Sequence, residues 1–182
     1  MGHIAPEAQC EDAAFIDATA HLFGAVTLGR GVSVFPQVVM RAEVHEIRIG
    51  ARSNVLDFVM IHIGFSAPTV VGEDCSITHR ATLHSCEIGD RRLIGVGAAV
   101  MDGAKIGANS IVAGHALVRE IAVFPENSMI SGAPARQIAE RDNSEANLAN
   151  ARFHQMIAKN YAEGRERLNE AELAALAQAV GA

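Results

Sequence analysis

Ile88-Gly89-Asp90-Arg91-Arg92-Leu93-Ile94-Gly95-Val96-Gly97-Ala98-Ala99-Val100-Met101-Asp102-Gly103-Ala104-Lys105-Ile106-Gly107 is the stretch on which the fold turns. An aliphatic residue returns every sixth position in it, at Ile88, Ile94, Val100 and Ile106. The same beat continues at Val112, Val118, Phe124 and Ile130. It extends backwards through Leu83, Ile77 and Val71, then Ile61, Val55 and Ile49, then Met40, Val34, Leu28, Leu22 and Ile16. Fifteen of the eighteen steps between these nineteen markers are six residues long. Small residues, most often glycine, follow the marker, which predicts a tight bend after each short extended piece. A hexapeptide period marks a parallel β-helix. Three pieces make one triangular coil, and neighbouring coils pair like strands about 4.8 Å apart, so every third marker shares one wall of a prism.

The repeat runs from about residue 14 to Gly132-Ala133-Pro134-Ala135, where proline interrupts regular structure. Residues 1–13 read as an N-terminal segment, 14–138 as an all-β hexapeptide-repeat β-helix, and 139–182 as a helical segment. Leu148, Phe153, Met156, Ile157 and Tyr161 fall near helical spacing and predict an amphipathic helix from Ser144 to Glu163, packed along one wall. Asn169-Glu170-Ala171-Glu172 reads as a capping box ahead of a short helix, Ala171 to Val180.

With 182 residues and 49% hydrophobic content, the chain suits one main domain with a small appendage. Its net charge of −6, 4% aromatic residues and absence of Trp argue against nucleic acid as a partner, and Arg91-Arg92 reads as a solvated pair on a turn. The longest apolar run, Leu93 to Met101, is far short of the roughly 20 residues that cross a bilayer. Glu7, Glu11 and Asp12 stand where a signal peptide would be basic and then apolar, so no membrane association and a cytoplasmic location are expected. Cys10, Cys75 and Cys86, without CxxC spacing, read as reduced buried thiols.

The beat breaks at 40–49, 61–71 and 83–88, around the histidines. With Ile16 on the first wall, Leu22, Met40, Ile61, Leu83, Val100 and Val118 share the second, while Val55, Ile77 and Ile94 share the first. His62 and His84 each follow a second-wall marker by one residue. They therefore stack one coil apart, a geometry in which two imidazoles close on one metal ion. His79 follows a first-wall marker by two residues and cannot readily reach that ion within its own prism. It reaches one held by a neighbouring copy if the second wall of each prism faces the first wall of the next, which makes a cyclic homotrimer. Three neutral imidazoles leave a fourth position open for water, the arrangement of catalytic zinc. His3, His21, His45, His115 and His154 have no such partners and read as structural or exposed.

Val39-Met40-Arg41-Ala42-Glu43-Val44, Asn54 to His62, and Ile77-Thr78-His79-Arg80-Ala81-Thr82-Leu83-His84-Ser85-Cys86 together resemble the gamma-class carbonic anhydrases of the left-handed β-helix hexapeptide superfamily. The resemblance covers about residues 14–138. It implies a left-handed coil and metal held across trimer interfaces by His62, His79 and His84. That metal would be Zn2+, with Fe2+ or Co2+ as alternatives. By position, Arg41 matches an arginine that pairs with carboxylates at the subunit contact and Asp57 matches one such carboxylate. The wall count also sets these two on facing walls, so they are expected to meet across the interface. Glu43 stands where the family has aspartate. Asn54 is retained, and Tyr161 matches a tyrosine that reaches the site. Leu56 replaces a glutamine that orients the metal-bound water, and the loop Ile63 to Val70 has no carboxylate to shuttle protons.

The resemblance implies reversible hydration of carbon dioxide to bicarbonate by a zinc-bound hydroxide, with Arg41, Glu43, Asn54, Asp57 and Tyr161 as catalytic residues and the gas bound in an apolar pocket near Leu56. Loss of the glutamine predicts weakened activity. The alternatives are a metal-dependent esterase or thioesterase, a hexapeptide acyltransferase, and a non-catalytic trimeric assembly subunit.

Overall fold

The computed structural model describes residues 1–180 and is a parallel β-helix followed by two helices. One wall is an eight-stranded sheet in which Ile16, Val34, Val55, Ile77, Ile94, Val112 and Ile130 stand in direct register. Leu22, Met40, Ile61, Leu83, Val100 and Val118 line up on the second wall. Leu28, Ile49, Val71, Ile88, Ile106 and Phe124 line up on the third. The second and third walls form one eleven-stranded sheet, because His21–Leu28 and Val39–Ile49 run unbroken around the corner between them. The nine-residue step from Met40 to Ile49 is this continuous strand, bulged against its neighbour between Gly24 and Val26.

The markers fill the prism. Val34, Val55, Ile61, Ile77, Leu83, Ile94 and Val100 are wholly inaccessible, whereas Ile16 and Phe124, at the two ends, are only partly covered. The glycines after the markers do not supply the bends. At Gly50 an added Cβ would run into the Gly72 carbonyl of the next coil, so glycine is there to let backbones stack closely. The bends fall instead at corner positions further along, on eleven non-glycine residues with φ between 49° and 61° and on Gly31, Gly97 and Gly103, piled in columns. Gln37, Phe58, Arg80 and His115 form one column, and Arg52, Asp74, Arg91, Asn109 and Asn127 another. Within the second column the Nε and Nη2 of Arg52 each donate to the Asp74 carboxylate at 2.8 Å.

The Arg91-Arg92 pair is split by the corner. Arg91 is exposed, but Arg92 is buried, donating to the backbone carbonyls of Asp90 and Ile106, and burial pushes its guanidinium down to about 10. A hexapeptide corner turns one of two successive side chains inward, which composition does not reveal.

Helix α1, Ser144–Ala162, lies along the first wall. Its buried residues are Asn147, Ala151, Ala158 and Asn160 rather than the large apolar set, because small side chains bring the helix axis close to the flat sheet. Asn147 donates to the carbonyls of Arg91 and Ser110, and Gln155 donates to that of Arg52. Helix α2, Glu170–Val180, starts with the expected capping box: Asn169 Oδ1 accepts from the Glu172 amide at 2.9 Å and Glu172 Oε2 accepts from the Asn169 amide at 2.8 Å. At the other end, His3–Ile4 pairs with His21–Leu22 on the first coil. No helix among the described residues is long and apolar enough to cross a membrane. Cys75 and Cys86 are buried, Cys10 is half-buried, and all three are free thiols.

Candidate metal centre

Arg41, His62 and His84 occupy one column at the exit from the second wall, each in direct register with the next. Leu83 and Ile61 anchor the two histidines from inside, since each imidazole follows an inward marker and must lean outward. The rings lie 5.0 Å apart between centroids at 62°, with His62 Nδ1 3.1 Å from His84 Nε2. Two nitrogens bound tetrahedrally to zinc at about 2.0–2.1 Å stand about 3.3 Å apart. The pair therefore fits two corners of such a site. Both rings are partly covered, at 26% and 29% side-chain exposure, so they are ordered yet reachable.

Each histidine has a carboxylate. His62 Nε2 donates to Glu43 Oε2 at 3.1 Å, His84 Nδ1 to Asp102 Oδ1 at 2.5 Å, and His79 Nδ1 to Asp57 Oδ2 at 2.9 Å. Glu43 also accepts from Arg41 Nε at 2.7 Å. Burial works against charge on Glu43, but the bonds from Arg41 and His62 outweigh it and hold this carboxyl below the usual carboxylate range. His79 stands apart at the corner between the first and second walls, half exposed, with no partner for Nε2 among the described residues. Among the described residues no three His, Cys, Asp or Glu side chains gather at one point.

The loop that follows His62 is tied down at its base. Thr69 Oγ1 donates to the His62 carbonyl and Ser85 Oγ to that of Ala67, while His45 Nε2 donates to the Phe65 carbonyl at 3.1 Å. Phe65 at its tip is 91% exposed.

Three residues expected at the site lie on the first wall or on the helix against it, not beside His62 and His84 of the same chain. Asn54 is fully buried beneath α1: its Oδ1 accepts from Ser33 Oγ at 2.6 Å and its Nδ2 donates to the Ala151 carbonyl at 3.0 Å. Leu56 does not line an open pocket, being packed with Phe35, Ala158 and Ile157 between wall and helix. Tyr161 sits edge-on to Phe15 and Phe35, both 5.9 Å away, with its ring partly exposed. Asp57, by contrast, is engaged with His79 within the chain.

Asp102 escaped the sequence reading. Its signal was there, a carboxylate at the same corner one coil beyond His84, but MDGA reads as an ordinary turn. His154, read as structural or exposed, is set edge-on to Phe35, donates from Nδ1 to the Asn150 carbonyl, and is pushed down by burial.

No family model matches the chain. It is 33% identical over 138 residues to gamma carbonic anhydrase 1, mitochondrial, of Arabidopsis thaliana, covering 72% of this chain but 50% of that protein. With protein YrdA of Escherichia coli K12 it shares 31% identity over 158 residues, 83% of each chain. The chain belongs to the gamma carbonic anhydrase-like family of hexapeptide-repeat proteins. The crystal structure of a hexapeptide transferase family protein from Anaplasma phagocytophilum superposes with a TM-score of 0.77 at 25% identity, over 88% of this chain and 92% of that one. The coil is accordingly the left-handed β-helix of that superfamily. Family membership implies a metal cofactor in general terms, and the imidazole donors of the His62–His84 pair suit one.

Proposed function

We propose that this protein is a metal-dependent, gamma carbonic anhydrase-like enzyme that hydrates carbon dioxide reversibly at the interfaces of a homotrimer. His62 and His84 would hold the ion, with His79 of the partner subunit as third donor. The observation that carries this reading is the direct register of His62 and His84, with ring nitrogens 3.1 Å apart. When bound, zinc, or iron or cobalt in its place, supplies a Lewis acid that lowers the pKa of coordinated water to about 7.

The remaining roles belong to the chain. Asp57 accepts a hydrogen bond from His79 Nδ1 and leaves Nε2 free to face a neighbour. In the single chain Arg41 donates to Glu43 beside His62 and holds that carboxyl low. On trimer formation Arg41 would turn to Asp57 of the partner subunit, a guanidinium–carboxylate pair that sets docking register. Asn54 and Leu56 act through the scaffold by holding α1 to the first wall.

The apolar, carboxylate-free loop ending in exposed Phe65 favours a second reading, in which the same ion serves hydrolysis of an acyl thioester whose chain lies against that ring. Stopped-flow hydration by zinc- and iron-loaded protein, beside thioester cleavage, separates the two. The first reading expects metal-dependent hydration above the buffer rate. Hydration at the buffer rate with thioester turnover favours the second, and neither activity in metal-loaded trimers favours an assembly subunit.

A further inference from the structure

We propose that Asp102 is a positioning residue that fixes the protonation pattern of His84 and so points a bare Nε2 at His62. A carboxylate only accepts, so the 2.5 Å contact between Asp102 Oδ1 and His84 Nδ1 places the imidazole proton on Nδ1. The same logic at His62, whose Nε2 faces Glu43, leaves its Nδ1 bare. With both rings neutral, the two nitrogens 3.1 Å apart present lone pairs to each other, an arrangement that favours a shared cation. Without Asp102, His84 is free to take the other tautomer and satisfy His62 by a direct hydrogen bond, which occupies both donor nitrogens.

Asp102 is itself held. Its Oδ2 lies over Gly64, where an added Cβ would stand 2.9 Å from that oxygen and 2.7 Å from Ser85 Oγ. Ser85 in turn donates to the Ala67 carbonyl, so the base of the Ile63–Pro68 loop packs directly on the carboxylate. A glycine is needed at 64 because Ser85 and the aspartate together use the space. The loop thus reaches the metal centre through Asp102 rather than through a side chain of its own.

The affinity part of this inference rests on the metal-centre reading, and the tautomer part does not. Nitrogen-15 NMR of the histidine rings in chelator-treated full-length protein reads the tautomer, and zinc competition with a chelating dye reads affinity. Wild type is expected to show His84 as Nδ1–H. Asp102→Leu is expected to shift His84 towards Nε2–H and to weaken zinc binding about 10- to 100-fold. Asp102→Asn can accept through its amide oxygen and should lose less. Asp102→Ala, which removes the carboxylate with less apolar bulk, should move both readouts the same way and serves if Asp102→Leu does not fold. His84 remaining Nδ1–H in folded Asp102→Leu or Asp102→Ala overturns the proposal. Failure of the wild type to bind zinc would sink the metal-centre reading, while the tautomer would still decide the role of Asp102.

Discussion

The side-chain amide of Asn54 donates to the backbone carbonyl of Ala151 at 3.0 Å, joining the first wall to α1 across 97 residues of chain. Its other end accepts from Ser33, so both halves of the amide are used inside the scaffold. Asn54→Leu removes the tie to α1 and leaves the buried Ser33 hydroxyl without its acceptor, a loss of about 1–3 kcal/mol. Chemical denaturation should show the drop while zinc affinity per folded subunit stays at the wild-type value.

Leu56 lies two residues on, 1% exposed against Phe35 and Ala158. Restoring the glutamine of the family at this position would bury an amide in an apolar cluster, costing about 1–3 kcal/mol. Leu56→Gln is therefore expected to lower the unfolding midpoint without raising carbon dioxide hydration, and a rise in hydration would return Leu56 to the site.

Ile94 sits midway along the first wall, wholly buried between Ile77 and Val112 in register. Coils that stack only on their neighbours collapse poorly onto a hole. Ile94→Ala should cost about 2–5 kcal/mol by denaturant titration, with metal content per folded subunit unchanged.

Burial pushes the Cys75 and Cys86 thiols up to about 12, from an ordinary value near 9. Above pH 9 the unfolded chain releases these protons while the folded chain keeps them, so stability falls as pH rises towards 12 and is unaffected below 9. Unfolding midpoints measured from pH 8 to 11 should decline less steeply in a Cys75→Ala, Cys86→Ala double variant than in the wild type.

The walls were legible because a six-residue period is a long-range rule: each marker fixes its partner one coil away, as in Met40, Ile61 and Leu83. That rule also gave the register of His62 with His84 without reference to any relative. What the period does not encode is depth outside the prism. Arg92 read as solvated because its burial depends on which way a corner turns. The burial of Asn54 and Leu56 was not legible because α1, which covers them, carries no repeat to fix its placement. The capping box at Asn169 and Glu172 was readable for the opposite reason, since its chemistry is complete within four residues. Asp102 was missed because a carboxylate on a turn is ordinarily solvated, and only the next coil shows what it touches.

Co-expression of His79→Ala and His84→Ala subunits, followed by isolation of mixed trimers and elemental analysis, tests the shared metal centre most directly. Each variant alone is expected to bind no zinc tightly. In a cyclic trimer containing both, one junction joins an intact His62–His84 pair to an intact His79, so about one ion per mixed trimer should return. Mixed trimers as empty as either parent, or His79→Ala trimers that keep the full wild-type complement, would contradict a site built from two copies of the chain.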